Sequence, residues 1–224
     1  MIDEKKAHDD MKSSNKIADE MRNLLRRLAK DGKPAAMAPM EPLMALVRGA
    51  MSYDVADDRA ESAMEMISKE FVDLNELRVA TDLEIQGLLG VKYPEIKVRV
   101  AMITLALNSI FEREHTMSLE RLKTLSKRDA RQFLRELPEI HPFVEAFIML
   151  QAFEGTAMPI DDLMLSYLKA QKAVATTATL DEAQRFMEHH LKAEEMYEAF
   201  RMIRRAASAA SDGSDKPRKK GQTV

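Results

Sequence analysis

Apolar residues recur at helical spacing through most of the chain. Ile17, Met21, Leu24, Leu25 and Leu28 step along one face of a segment spanning 14–30, with Ser13 or Ser14 placed to cap it. Leu43, Leu46, Val47 and Met51 draw a second stripe. Phe71–Leu77 starts a helix with a turn near Asp73, and Ile85–Leu89 forms a short one closed by Gly90. Val98, Met102, Leu105 and Ile110 are read as the core positions of a long central helix, and Ser118–Leu122 begins another. Ser126–Leu137 (SKRDARQFLREL) carries its own cap in Ser126, with Asp129 at the third helical position. Beyond a tight corner at Pro138–Pro142, Pro142 suits the first turn of a helix running to about Phe153. Val144, Phe147, Ile148 and Leu150 give that helix one apolar face, and Gly155 is its positive-φ stop. Pro159 opens the next helix, which ends at Lys172 and holds Asp161 and Asp162 in its first turn, where the helix dipole favours carboxylates. After an Ala/Thr loop (AVATTATL), Thr179 caps a single last helix, Leu180–Arg205, with Phe186, Leu191, Met196, Tyr197, Phe200 and Ile203 as its apolar positions.

Composition agrees with an all-α protein: seven glycines in 224 residues, few β-branched runs, and abundant Ala, Leu, Met, Glu, Lys and Arg. The length suits one generous domain or two small lobes. Four regions follow: a polar segment and amphipathic helix at 1–30, a Pro/Gly/Ala linker at 31–41, a helical domain at 42–207, and a disordered tail at 208–224 with Lys216, Arg218, Lys219 and Lys220. The net charge of −3 excludes a uniformly basic nucleic-acid binder. With no cysteine, neither a disulfide nor a Cys-ligated zinc or iron–sulfur centre can form, and no cofactor is expected. The first residues, MIDEKKAHDDMK, do not read as a signal peptide, and no apolar run reaches the roughly 18 residues of a membrane span. A cytoplasmic protein is expected, nucleoid-associated if it binds DNA.

Leu137–Met164 (LPEIHPFVEAFIMLQAFEGTAMPIDDLM) resembles the helix-hairpin-helix base-excision DNA glycosylases, the endonuclease III family. That family has an L-P-G-V-G hairpin followed by a segment with a V-D pair. Leu137, Pro138 and Ile140 match the hairpin, Pro159–Ile160–Asp161 match the later segment, and Asp161 lies eighteen residues after Phe143, as in the family's spacing. MSYDVADDRAESAMEMI resembles the segment that carries the family's gap-filling glutamine; Ser52 and Asp57 match, and the glutamine falls on Asp54. Tyr93–Lys97 (YPEIK) resembles the family's Y-x-x-K start of the central helix. The resemblance implies a two-lobed, all-α glycosylase-type domain with its hairpin at 137–142. It also implies double-stranded DNA as partner, with Ile140, His141, Asp54 and Lys97 at the DNA, and Asp161 as the carboxylate assisting base loss.

The chain departs from that pattern where chemistry is concentrated. Such a hairpin grips phosphate with main-chain N–H groups that glycines expose. Here Glu139 and His141 replace the glycines, and Pro142 removes a donor. A protonated His141 could still pair with phosphate; otherwise the hairpin is a structural corner. The family's Schiff-base lysine is replaced by Phe143, so lyase chemistry of that type has no amine. Asp161 either stabilises a cationic sugar, making the protein at most a monofunctional glycosylase, or caps its helix. Asp54 puts a carboxylate where an amide would donate. On 14–30, Arg22, Arg26, Arg27 and Lys30 form either a solvated face or a basic arm on nucleic acid. Glu188, His189, His190, Glu194 and Glu195 read as a solvated face, although His190 and Glu194, four apart, could share a metal. The seventeen methionines fall mostly at core positions. Two functions remain open: a catalytically degenerate DNA-binding protein, or a helical scaffold that binds a protein partner through the same fold.

Overall fold

The computed structural model describes residues 2–214, with side chains from 15 to 211, so the basic residues 216–220 lie outside the described part. Among the described residues there is no β-strand. The helices are α1 (Ile2–Lys30), α2 (Pro42–Ser52), α3 (Asp57–Glu70), α4 (Leu74–Val79), α5 (Asp82–Leu89), α6 (Ile96–Glu114), α7 (Lys127–Arg135), α8 (Pro142–Ala152), α9 (Asp162–Ala170), α10 (Leu180–His190) and α11 (Ala193–Ser214). A 3₁₀ turn, Glu120–Thr124, stands where Ser118–Leu122 suggests a helix start.

Two lobes meet along a seam. On one side α3, α4, α5 and α6 pack together; on the other, α1 and α9 pack on α11, and α10 on α9. α2 and α8 lie against each other between them. One hydrophobic cluster runs through both lobes, from Met21 to Ala207. α8 has no exposed apolar stripe to balance, because every residue from Phe143 to Gln151 is buried; a helix apolar on all sides belongs in the middle of a fold. α1 joins the same core through Met21, Leu24 and Leu28.

Several ends follow their capping residues. Asp73, Thr81, Ser126 and Thr179 each accept the backbone N–H three residues on. Other expectations are corrected. α1 begins at Ile2, so Ser13 and Ser14 lie inside it rather than at a cap. Val98 (59% exposed) and Leu105 (45%) face solvent, while Val100, Ile103, Ala106, Leu107 and Ile110 form the core face of α6. Glu154, not Gly155, takes the positive φ after α8. Gly155 is needed for a different reason: its N–H donates to Met149 O at 2.8 Å, and a Cβ there would sit 3.1 Å from that oxygen. Pro159 stays outside α9, whose N-cap is Asp161. The last helix is broken in two. Leu191 is extended and buries its side chain, and the Lys192 N–H turns to the Glu195 carboxylate at 3.0 Å. α11 then continues to Ser214, well past residue 208, where composition starts a tail.

Candidate functional site

The hairpin joins α7 to α8 at the seam. Leu137 N–H closes on Leu134 O at 3.2 Å, and Ile140 N–H on Leu137 O at 3.4 Å. Glu139 takes the turn with φ 56°, the left-handed conformation that explains a glycine preference there. His141 caps α8, its Nδ1 accepting the Phe143 N–H at 3.2 Å, and Pro142 opens the helix. The His141 N–H itself donates to Met102 Sδ at 3.4 Å. The N–H groups of Ile140, His141 and Phe143 are therefore all used within the protein. The Glu139 side chain is exposed beside them, and the Ile140 side chain is half-buried.

Behind the hairpin lies a stack. The His141 ring is parallel to Tyr53 (centroids 4.3 Å apart, planes 3° from parallel), and the Arg99 guanidinium lies 3.6 Å from the centroid of the Tyr53 ring. Arg99 is fully buried and pairs with no carboxylate among the described residues; it donates to Ala50 O, Tyr53 O and Pro94 O at 2.6–2.8 Å. Those carbonyls include the C-terminal end of α2, where unpaired acceptors and the helix dipole suit a cation. Desolvation, followed by Arg99, pushes the His141 imidazole below the usual histidine range, although Asp161, Glu95 and Asp162 pull it the other way. The hairpin histidine is thus disposed to be neutral, not to be an imidazolium reaching for phosphate.

Asp161 is completely buried. One oxygen accepts the Met164 N–H at 2.8 Å and caps α9; the other accepts the Asp54 N–H at 2.8 Å and is ion-paired with Arg204. Arg204, also buried, donates to Ser52 O, to Val55 O and to Asp57 (3.1 Å). Asp54 returns the contact: with φ 51°, it holds its own carboxylate 3.1 Å from the Leu163 N–H. Desolvation and then the Asp161 charge raise the Asp54 carboxyl above the usual range. Asp54 therefore tethers the loop after α2 to the start of α9.

Phe143, at the position the resemblance gives to a lysine, is buried against Phe147 and Phe200, with the Arg204 guanidinium 5.4 Å from its ring centroid. Asp161 and Asp54 are thus brought together, with His141 and Phe143 close by, around two arginines. Lys97 stands apart, exposed in the first turn of α6. The cleft beside the hairpin is lined by residues including Arg135, Ile140, His141, Glu145 and Ile160, and Asp161 is not among its lining residues. His190 and Glu194 fall on different helices, α10 and α11, and among the described residues no three His, Cys, Asp or Glu side chains gather as a metal site.

Sequence reasoning missed the two arginines that organise the seam. A signal existed for Arg204: it lies four residues after Phe200 and eight after Met196, in the apolar register of α11. Arg99 sits between Val98 and Val100, where no periodicity separates a buried cation from an exposed one.

No protein-family model and no curated protein sequence matches the chain. Solved structures match it by shape. The Clostridium acetobutylicum 8-oxoguanine glycosylase/lyase, in complex with double-stranded DNA containing cytosine opposite the lesion, superposes with TM-score 0.67 at 16% identity, covering 89% of this chain and 70% of that one. Endonuclease III trapped as a covalent intermediate with DNA gives 0.65 at 12% identity, covering 83% and 84%. The H. pylori 3-methyladenine DNA glycosylase bound to 1,N6-ethenoadenine gives 0.63 at 15% identity, covering 89% and 98%. At these identities the likeness is one of fold.

Proposed function

We propose that this chain, which has the fold of the helix-hairpin-helix DNA glycosylases, is a DNA-binding protein that does not excise bases. The observation that carries the reading is the state of Asp161. A carboxylate that assists base loss must face the sugar and hold its charge for the developing cation. Both Asp161 oxygens are committed to backbone donors and to Arg204, and the side chain has no exposed surface. A permanent guanidinium beside it already neutralises the field that a cationic sugar would use. Phe143 offers no amine for a Schiff base. The residues that implied chemistry instead fasten the start of α9 to the end of α2. No cofactor enters this reading.

The DNA-binding half of the proposal is supported by the fold. The competing reading, a scaffold for a protein partner, is favoured by one observation: the hairpin spends its N–H groups internally and presents Glu139. Two assays on the full chain separate these. Incubation with duplexes carrying a panel of damaged bases, followed by alkali cleavage at abasic sites, should give no product; turnover on any of them sinks the non-catalytic reading. Anisotropy of a labelled duplex should show salt-sensitive binding; no binding at low salt leaves the scaffold.

A further inference from the structure

If the hairpin does not grip phosphate, a DNA-binding chain needs another cationic surface, and the sequence concentrates one on α1. From Arg22 to Lys30 there are four cations and no carboxylate, in a chain of net charge −3. Arg22, Arg26, Arg27 and Lys30 are all exposed, and Met21, Leu24 and Leu28 on the other side are buried. Arg22, Arg26 and Lys30 have no ion pair among the described residues. Among the described residues Arg27 donates to the neutral Gln171 amide, at 2.8 Å, and the exposed Lys172 is the next residue in the chain. Arg205 donates to Gly32 O at 2.8 Å and adds its charge just beyond the end of α1.

We infer that this face of α1 is the nucleic-acid contact, and that it takes the phosphate backbone of a duplex. The inference rests on the DNA-binding reading above and supplies the surface that reading lacks. Cations in a last helical turn often do no more than complement the dipole. Arg22 lies two turns before the end, outside that reach. The row Arg22, Arg26, Lys30 repeats every four residues, about 6 Å along the helix axis. That is close to the roughly 7 Å between every second charge of one strand along a duplex axis. Arginine, three of the four, is the side chain whose fork matches phosphate. A membrane surface fits poorly, since the apolar face an interfacial helix would insert is already inside the core.

The test is anisotropy of a labelled, undamaged duplex at about 50 and 200 mM salt. The full chain is compared with Arg22→Gln/Arg26→Gln/Arg27→Gln/Lys30→Gln and with Lys69→Gln, an exposed cation on α3 that pairs with Glu65. Melting temperatures check that each variant is folded, and Arg22→Gln/Arg26→Gln serves if the fourfold variant is not. Four phosphate contacts give a slope near −3.6 in log affinity against log salt, so wild type should lose on the order of 10²-fold across this range. The fourfold variant should bind at least about tenfold more weakly at low salt and lose most of that slope, the twofold variant about half of it. Lys69→Gln should match wild type. Wild-type affinity in the folded fourfold variant overturns this inference and leaves the DNA-binding reading standing. No binding by wild type overturns that reading, and the inference with it. Polyglutamate displacing the duplex at lower charge concentration than unlabelled DNA assigns the face to an acidic protein and overturns the inference alone.

Discussion

Replacing Asp161 with asparagine separates a lock from a catalytic carboxylate by the sign of the stability change. Asparagine keeps the size of the side chain and is as good an N-cap as aspartate. It cannot keep the contacts. One Asp161 oxygen accepts the Met164 N–H, and the other accepts the Asp54 N–H and Arg204. Whichever way the amide is turned, its NH₂ meets a donor. Arg204, 1% exposed, also loses the carboxylate that neutralises it. Removing one partner of a buried pair costs roughly 3–5 kcal/mol. Asp57, 3.1 Å from Arg204 and partly exposed, retains some of the neutralisation, which places the loss near the low end. A loss of about 3 kcal/mol lowers the melting temperature of a chain this size by roughly 6–12 °C.

The assay is urea unfolding followed by far-UV circular dichroism, with calorimetry for the midpoint. Arg204→Met should cost a similar amount, and the double variant should cost less than the sum, because the second change removes a charge the first left unpaired. A carboxylate kept available for chemistry behaves differently: neutralising it usually leaves stability unchanged or raised. An Asp161→Asn midpoint within about 2 °C of wild type, or above it, refutes the lock.

Phe143→Ala opens a cavity between Phe147, Phe200 and the Arg204 guanidinium and should cost about 3–5 kcal/mol by the same unfolding assay; a loss under about 1 kcal/mol would mean the side chain is not packed as described. Phe143→Lys should form no borohydride-trapped adduct with an abasic duplex, and a trapped band would show that an amine there can reach the sugar. His141 gives a pH dependence of defined sign. Its folded pKa lies below its unfolded value of about 6.5, so its contribution is complete above that pH and is lost as the unfolded chain takes up a proton below it. His141→Asn keeps a capping acceptor and should flatten the loss of stability as pH falls below about 6.5; parallel curves for the two proteins would assign that slope to other groups. Glu139→Gly relieves a left-handed glutamate and should raise stability by about 1 kcal/mol, net of glycine's entropy, while a lowered midpoint would place a favourable contact on the Glu139 side chain.

Local rules were legible and tertiary ones were not. Ser126 and Thr179 could be placed as caps because a cap acts on the three residues after it. The break at Leu191 could not, because the residue is extended only to bury its side chain against other helices. Val98 and Leu105 show the same limit: α6 has apolar residues on two faces, and only packing against α2, α4 and α5 decides which is the core. At the seam, spacing singled out Asp161 and Phe143, and it singled out Asp54 as a departure. What those departures do depends on Arg204, whose partners Ser52 and Val55 lie 152 and 149 residues away. Nothing local to any of these positions marks that meeting.

Charge is distributed along α9 in a way that links the closed seam to the proposed surface. At its N-terminal end Asp54, Glu95, Glu139 and Asp162 are exposed around or near the hairpin, with Asp161 buried among them. At its C-terminal end Gln171 accepts a hydrogen bond from Arg27, and the exposed Lys172 follows it in the chain. The helix between them is nine residues, about 13 Å long. A distance of this size exceeds the screening length of roughly 8 Å at physiological salt. A polyanion approaching the hairpin therefore meets a largely acidic rim, and one approaching α1 meets a local excess of cations. The two ends do not cancel at contact distance even though the chain is close to neutral overall. Removing the rim charge with Glu139→Gln and Asp162→Asn should then raise duplex affinity by no more than about twofold if contact is at α1, since those residues lie more than a screening length away. A rise of about tenfold or more would return the DNA to the hairpin.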